Sequence, residues 1–260
     1  MTILVSLKIN DGLVMAADSA SSFGSGMVYY HADKIVNLRT GLPIAAMVTG
    51  AGGIGSESID TLLKDLRARF EGRDPAGADA ALDPATYTVQ AVAERVRAFL
   101  LEKIRAQATP VHTRVRICGY SAGRPLAELW EVLLTGDDAA PPTCVQAEHE
   151  FGLRWDGEYE ALSRLVFGLG TGFDDAAVAT GMPPAQAQAL RRAVVPRMTE
   201  LLFIEAMPMR DAIALARFLV ETTIGFVRFS VNRPKLVGGA VAIATVTKHE
   251  GFRWVRRAED

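Results

Sequence analysis

Cysteine is scarce in this chain, with only Cys118 and Cys144 among 260 residues. Two thiols are too few for a disulfide framework. Cys118 lies in an apolar strand pattern and reads as a buried free thiol; Cys144 lies in a proline-rich loop and reads as a surface one. A surplus of positive charge is missing too. Against 28 lysines and arginines stand 30 aspartates and glutamates, a net charge of −2 that leaves no basic field for nucleic acid or an anionic membrane. Apolar stretches such as 237–246 are too short to span a bilayer. Lys8 and Asn10 interrupt the N-terminal run, so it does not read as a secretory signal, and the cytoplasm is the expected compartment. Histidine supplies no metal site. His112 follows the 109–111 loop with no carboxylate or cysteine at ligand spacing, and Glu148, His149 and Glu150 are successive residues that a strand points to alternating faces. No composition break marks a linker, so residues 1–260 are expected to form one domain around a large core, which 49% apolar content allows.

What the chain does contain is an ordered beginning. Residues 3–9 read as a strand of alternating and β-branched character, Asn10, Asp11 and Gly12 as a hairpin turn, and residues 13–17 as the returning strand. An antiparallel return over these lengths brings Asp18 back to the end where Thr2 lies. A Ser/Gly/Ala loop over 19–26 then leads to Lys34 and the apolar pair Ile35 and Val36. A hydroxyl, a carboxylate and an ammonium are thereby predicted to converge at one sheet edge.

These three types suit one chemistry. A threonine hydroxyl is a poor nucleophile until something takes its proton, and a free α-amino group, with an ordinary pKa of about 7.7–8.0, is a base close to working pH. Only an N-terminal threonine has both, and Thr2 becomes the first residue if Met1 is removed. The Lys34 ammonium would favour the charged form of the hydroxyl and depress the amine pKa, with Asp18 orienting it.

Thr2, Asp18 sixteen residues on and Lys34 thirty-two on, with Met15-Ala16-Ala17-Asp18-Ser19, Asp33-Lys34-Ile35-Val36 and the run from Pro43 to Val48, resemble the proteasome β-subunit family of N-terminal-nucleophile hydrolases. The match is good to about residue 70 and weak beyond it. The resemblance implies an α+β fold, a four-layer αββα sandwich. It also implies a threonine-type peptidase with Thr2, Asp18 and Lys34 as its triad, and a backbone N–H near Ala46, where the family usually has glycine, as oxyanion donor. Thr171, in the turn Gly170-Thr171-Gly172, would stand where the family has a serine beside the catalytic amine; a helix-capping threonine is the other reading. Ser21, Ser22 and Ala46 are the implied substrate-binding positions, and Ser21, Ala32, Val36 and Ala46 make a small, weakly selective wall. A peptide or protein substrate, a homo-oligomeric ring or helical array, an unfoldase partner of unknown identity, and no cofactor or metal complete what it implies. Two family residues that tie down the terminal amine, a serine and an aspartate, are replaced by Val237 and Pro234. A non-catalytic scaffold or binding protein is therefore the alternative.

Along the rest of the chain, residues 35–38 and 42–48 read as strands, and a helix begins near residues 56–58 with Ile59, Leu62, Leu63, Leu66 and Phe70 on one stripe. Between them Gly50, Gly52 and Gly55 satisfy G-x-G-x-x-G, the dinucleotide-binding pattern, which a parallel sheet with its switch point here would support. Glycines that turn a strand into a helix are the plainer reading, since residues 71–86 read as a loop with no second strand. A helix over about 85–107 and strands over 114–120 and 126–134 follow, then an irregular stretch to residue 160. Leu165, Val166 and Phe167 read as a short strand, residues 183–207 as a helix kinked or split at Pro196, residues 208–226 as another helix, and residues 236–246 and 251–255 as a closing hairpin.

Overall fold

The computed structural model describes residues 2–22, 27–74, 81–108 and 110–258. Met1, residues 23–26 of the expected 19–26 loop and residues 75–80 of the expected 71–86 loop lie outside the described residues. The described chain is α+β with antiparallel sheets. In order, it runs β1 (Ile3–Ile9), β2 (Gly12–Asp18), β3 (Ser21–Ser22), β4 (Val28–Tyr29), β5 (Ile35–Asn37), β6 (Ile44–Gly50), β7 (Gly53–Ile54), β8 (Glu57–Ser58), α1 (Ile59–Phe70) and α2 (Val89–Gln107). It continues through β9 (Val111–Gly119), β10 (Glu128–Gly136), β11 (Asp138–Ala139), β12 (Thr143–Gln146), β13 (Gly152–Gly157), α3 (Glu160–Phe167), α4 (Phe173–Ala179), α5 (Pro184–Met198), α6 (Met209–Phe229), β14 (Val241–Thr247) and β15 (Gly251–Arg256).

One sheet has the order β13-β1-β2-β14-β15 and the other β11-β10-β9-β6-β5, with β12 paired to β10. The pleat sorts each strand's residues between two environments. Leu4, Met15, Ala17, Ala244, Ala45, Met47, Cys118 and Leu129 pack together between the two sheets. Their neighbours Ile3, Val5, Val14, Ala16 and Ile243 point the other way, onto Ala212, Ala216, Leu219 and Val220 of α6 and Leu162 of α3. On the far side of the second sheet, Ile44, Ala46, Val48, Val115 and Ile117 meet Leu62, Leu66 and Phe70 of α1 and Val92, Val96 and Leu100 of α2. Strands buried on both faces carry apolar residues nearly throughout, which is why β1 and β2 are so continuous in hydrophobic character.

Several boundaries differ from those expected. Residues 165–167 belong to α3 because Leu162 and Val166 bury one helical face, which overrides the strand preference of Val and Phe, and Gly168 ends the helix with φ 70°. The irregular stretch contains β11, β12 and β13; β13 escapes notice because it is an edge strand, buried on alternate residues at most. Thr88 caps α2, which begins at Val89 rather than near residue 85. The helix expected over 183–207 is not split at Pro196 but ends at Met198, two residues beyond it; Pro196 sits in the last turn and removes only its own amide's bond to the preceding turn. Among the described residues no helix is long and apolar enough to cross a membrane.

Candidate active site

The pairing of the first two strands sets Leu4 opposite Ala17, and β14 pairs Val241 with Asp18. Asp18, the last residue of β2, is thereby level with the start of β1. Its carboxylate is fully buried and takes four donors. Oδ1 accepts the Ile3 amide at 3.0 Å and Lys34 Nζ at 2.6 Å; Oδ2 accepts the amides of Gly238 at 3.1 Å and Ala20 at 3.3 Å. One carboxylate thus ties the residue after Thr2 to Lys34 and to the turn before β14. Burial pushes the Lys34 ammonium below the ordinary lysine range, while the Asp18 charge and its hydrogen bond pull it back up.

Lys34 reaches this point on a strap held at both ends. The Ala32 amide donates to Ser19 O at 3.0 Å, Ser19 Oγ donates to Tyr30 O at 2.6 Å, and the Val48 amide donates to Lys34 O at 3.0 Å. The Ser19 amide in turn donates to Gly238 O at 3.1 Å. Gly239 completes the turn at φ 79°, where an added Cβ would come within 2.3 Å of Ser19 Oγ. Only glycine lets the turn pass so close to the strap.

Thr2 is itself buried, and its carbonyl accepts the Glu158 amide at 2.7 Å. Beside it Gly157 has φ 92°, and a Cβ there would lie 1.8 Å from Thr2 O. A cavity of about 440 Å³ opens on Thr2 and Lys34, with Ser21, Ala32, Val48 and Gly50 among its walls. A second cavity, of about 470 Å³, shares Thr2 and Gly50 and is walled by Thr49, Arg114 and Asp156. Thr2 therefore stands between two spaces, with a buried ammonium on one side.

The other sequence-derived positions are distributed unevenly. Ser21 and Ala32 line the first cavity, and Ser22 pairs with Val28, its side chain outside what is described. Ala46 is fully buried against α1 and α2, and Val36 packs in the same core; neither lines the cavity. Ala46 also sits in the central strand β6, paired with Val36 on one side and Ile117 on the other, so its amide is committed to the ladder. The walls instead include Tyr29, His31, Asp33 and Asp60, more polar than the small residues expected. Thr171 lines neither cavity: its amide and hydroxyl both donate to the Glu160 carboxylate. All strand pairs among the described residues are antiparallel, so Gly50 to Gly55 occupy no parallel-sheet switch point. Gly52 O accepts the Ile59 amide at the start of α1 instead.

Two groups near Thr2 escaped the sequence reading. Glu158, whose carboxylate pairs with Arg233 at 2.8 Å, follows the Asp156-Gly157 pair, a turn signal that locates the end of β13. Asp156 accepts two bonds from Arg114 Nη1 at 2.7 Å each and one from Thr49 Oγ1 at 3.2 Å, joining the two sheets at this end. Comparison with protein-family models and with curated proteins returns no match for the chain.

Proposed function

We propose that this chain is an N-terminal-threonine amide hydrolase with the four-layer αββα arrangement, acting on peptides, with Thr2 as nucleophile once Met1 is removed. The observation that carries this reading is the Asp18 carboxylate, which binds Lys34 and the Ile3 amide together beside a cavity that Thr2 lines. Three apolar cores, helix to sheet, sheet to sheet and sheet to helix, support the layered arrangement.

In the proposed reaction the free α-amine of Thr2 takes the Oγ1 proton as that oxygen bonds to the substrate carbonyl carbon. The C–N bond then breaks, the leaving amine carries the proton away, and an acyl ester remains on Thr2. Water attacks the ester with its proton passing to the same α-amine. The C–O bond to Thr2 breaks, Oγ1 regains a proton, and the acid leaves. The Lys34 charge favours the developing negative oxygen and keeps the amine neutral at working pH, and Asp18 holds Lys34 in place.

Copies of the chain are also proposed to associate, in a ring or a helical array. Helix α4 buries no residue and α5 only Ala187, while Leu201, Ile204, Phe229 and Val231 are largely exposed. The second reading, a non-catalytic scaffold, draws support from Val237, buried in the apolar core where the resemblance calls for a hydroxyl. Hydrolysis of internally quenched peptides discriminates the two. Turnover abolished in Thr2→Ala and lowered in Lys34→Ala supports the hydrolase, and turnover unaffected by Thr2→Ala removes it.

A further inference from the structure

Thr2 and Gly50 line both cavities, so the two spaces meet at the candidate nucleophile. Gly50 ends β6 at φ 101°, where an added Cβ would lie 2.3 Å from His112 O, and the junction is thereby kept free of a side chain. An amide cut at Thr2 has an acyl half and a leaving half, and each needs room. Lys34, whose charge favours the developing oxyanion in the proposed reaction, lines the first cavity and not the second. The acyl half therefore faces the first cavity, and the leaving half has the second, of about 470 Å³, to enter.

Arg114 is a fixed donor in that second cavity. Its Nη1 donates to both Asp156 oxygens at 2.7 Å, and Asp156 also accepts Thr49 Oγ1 at 3.2 Å. Nε lies 3.3 Å from Glu131 and is buried. Nη2 has no hydrogen-bond partner among the described residues and keeps accessible surface, on a side chain 35% exposed. The charge around it is already balanced, since Arg114 and Arg116 are each paired with both Asp156 and Glu131. A carboxylate ligand would set three anions against two cations, whereas a neutral carbonyl oxygen needs only the free N–H groups of Nη2.

We infer that the second cavity binds the leaving half of the substrate, with Arg114 Nη2 donating to a main-chain carbonyl of that half. The inference rests on the reading of Thr2 as nucleophile. Asp156 holds the guanidinium in one orientation before the substrate arrives, so little freedom is lost when the bond forms. A charge-assisted bond at this partly exposed position favours a leaving group that carries the carbonyl about tenfold over one that lacks it.

The test gives Met1-free protein an internally quenched peptide together with alanine amide or isopropylamine, at equal concentrations of free amine. The two amines differ in carrying a carboxamide or a methyl group. Either can replace water by entering the leaving site: its nitrogen bonds to the acyl carbon, the C–O bond to Thr2 breaks, the amine loses a proton and Oγ1 regains one. Transfer product over hydrolysis product, read by mass spectrometry, does not depend on how much of the protein is active. The preference for alanine amide over isopropylamine in this ratio should fall about tenfold in Arg114→Met and less in Arg114→Lys. Leu133→Trp, at a lining residue 43% exposed, should narrow the cavity and depress transfer to alanine amide without unfolding the chain. Hydrolysis with no transfer to either amine, a preference that Arg114→Met leaves in place, or transfer unmoved by Leu133→Trp overturns the assignment and leaves the hydrolase standing. Absence of hydrolysis in the parent protein overturns both.

Discussion

Asp18 and Lys34 form a buried ion pair at 2.6 Å, with side chains 0% and 8% exposed, and the same carboxylate oxygen also accepts the Ile3 amide. A charge this deep persists only while its partner is present, so the pair doubles as a structural unit and as the electrostatic centre of the candidate site.

Removing Asp18 alone should therefore be costly. Asp18→Ala strands the Lys34 ammonium and three backbone donors, an expected loss of about 3–5 kcal/mol in urea unfolding. Asp18→Ala combined with Lys34→Met should be less destabilised than Asp18→Ala by itself, because the uncompensated charge is gone. A double variant as unstable as the sum of its parts would contradict the coupling.

Lys8 predicts a pH dependence of stability. It is 1% exposed, donates to Ala147 O at 2.6 Å and Glu148 O at 2.8 Å, and burial lowers its pKa from 10.5 to about 8. Between those values the unfolded chain binds the extra proton, so this group's contribution to stability rises with pH from about 8 to 10.5 and is lost over the same window as pH falls from 10.5 to about 8. The span is on the order of 3 kcal/mol. Denaturant midpoints at pH 7.5, 9 and 10 should climb in the parent, by a clearly smaller amount in Lys8→Met; equal slopes would refute the assignment.

Much of this arrangement was legible in residues 2–70, where strand alternation, a hairpin turn and the helical stripe ending at Phe70 each have a strong local signal. Asp18 was legible because a short antiparallel return fixes where it must arrive; Lys34 arrives on a strap tied to Ser19 and Val48, contacts that no local pattern encodes. Ala46 lies on the same face of β6 as Val48 and Gly50, which line the cavity two and four residues further along; the pleat gives the face a residue is on, not the point along the strand where the cavity begins. The Glu160 partner of Thr171 was not legible because a Gly-Thr-Gly turn looks the same whether its hydroxyl faces an amine or a carboxylate. Glu158 and Asp156 were illegible since β13 is an edge strand whose partner, β1, lies about 150 residues earlier, a pairing that no local pattern encodes.

Self-association is the third expectation. Phe229 is 80% and Val231 95% exposed, an unusual display for apolar residues at the end of a long helix. Light scattering at micromolar concentration should report an oligomer, and Phe229→Ser with Val231→Ser should lower the mass while leaving thermal stability of the fold nearly unchanged. A monomeric parent chain would count against the assembly.

The central claim is that Thr2 is the working N-terminus, since a retained methionine turns the catalytic amine into an amide nitrogen without useful basicity. Intact mass and N-terminal peptide mapping of protein from its native cell, with and without a peptide epoxyketone, test it most directly. The account predicts a chain lacking Met1 that gains one inhibitor mass, mapped to the peptide beginning at Thr2 and absent from Thr2→Ala. Quantitative retention of Met1 with no added mass would contradict it.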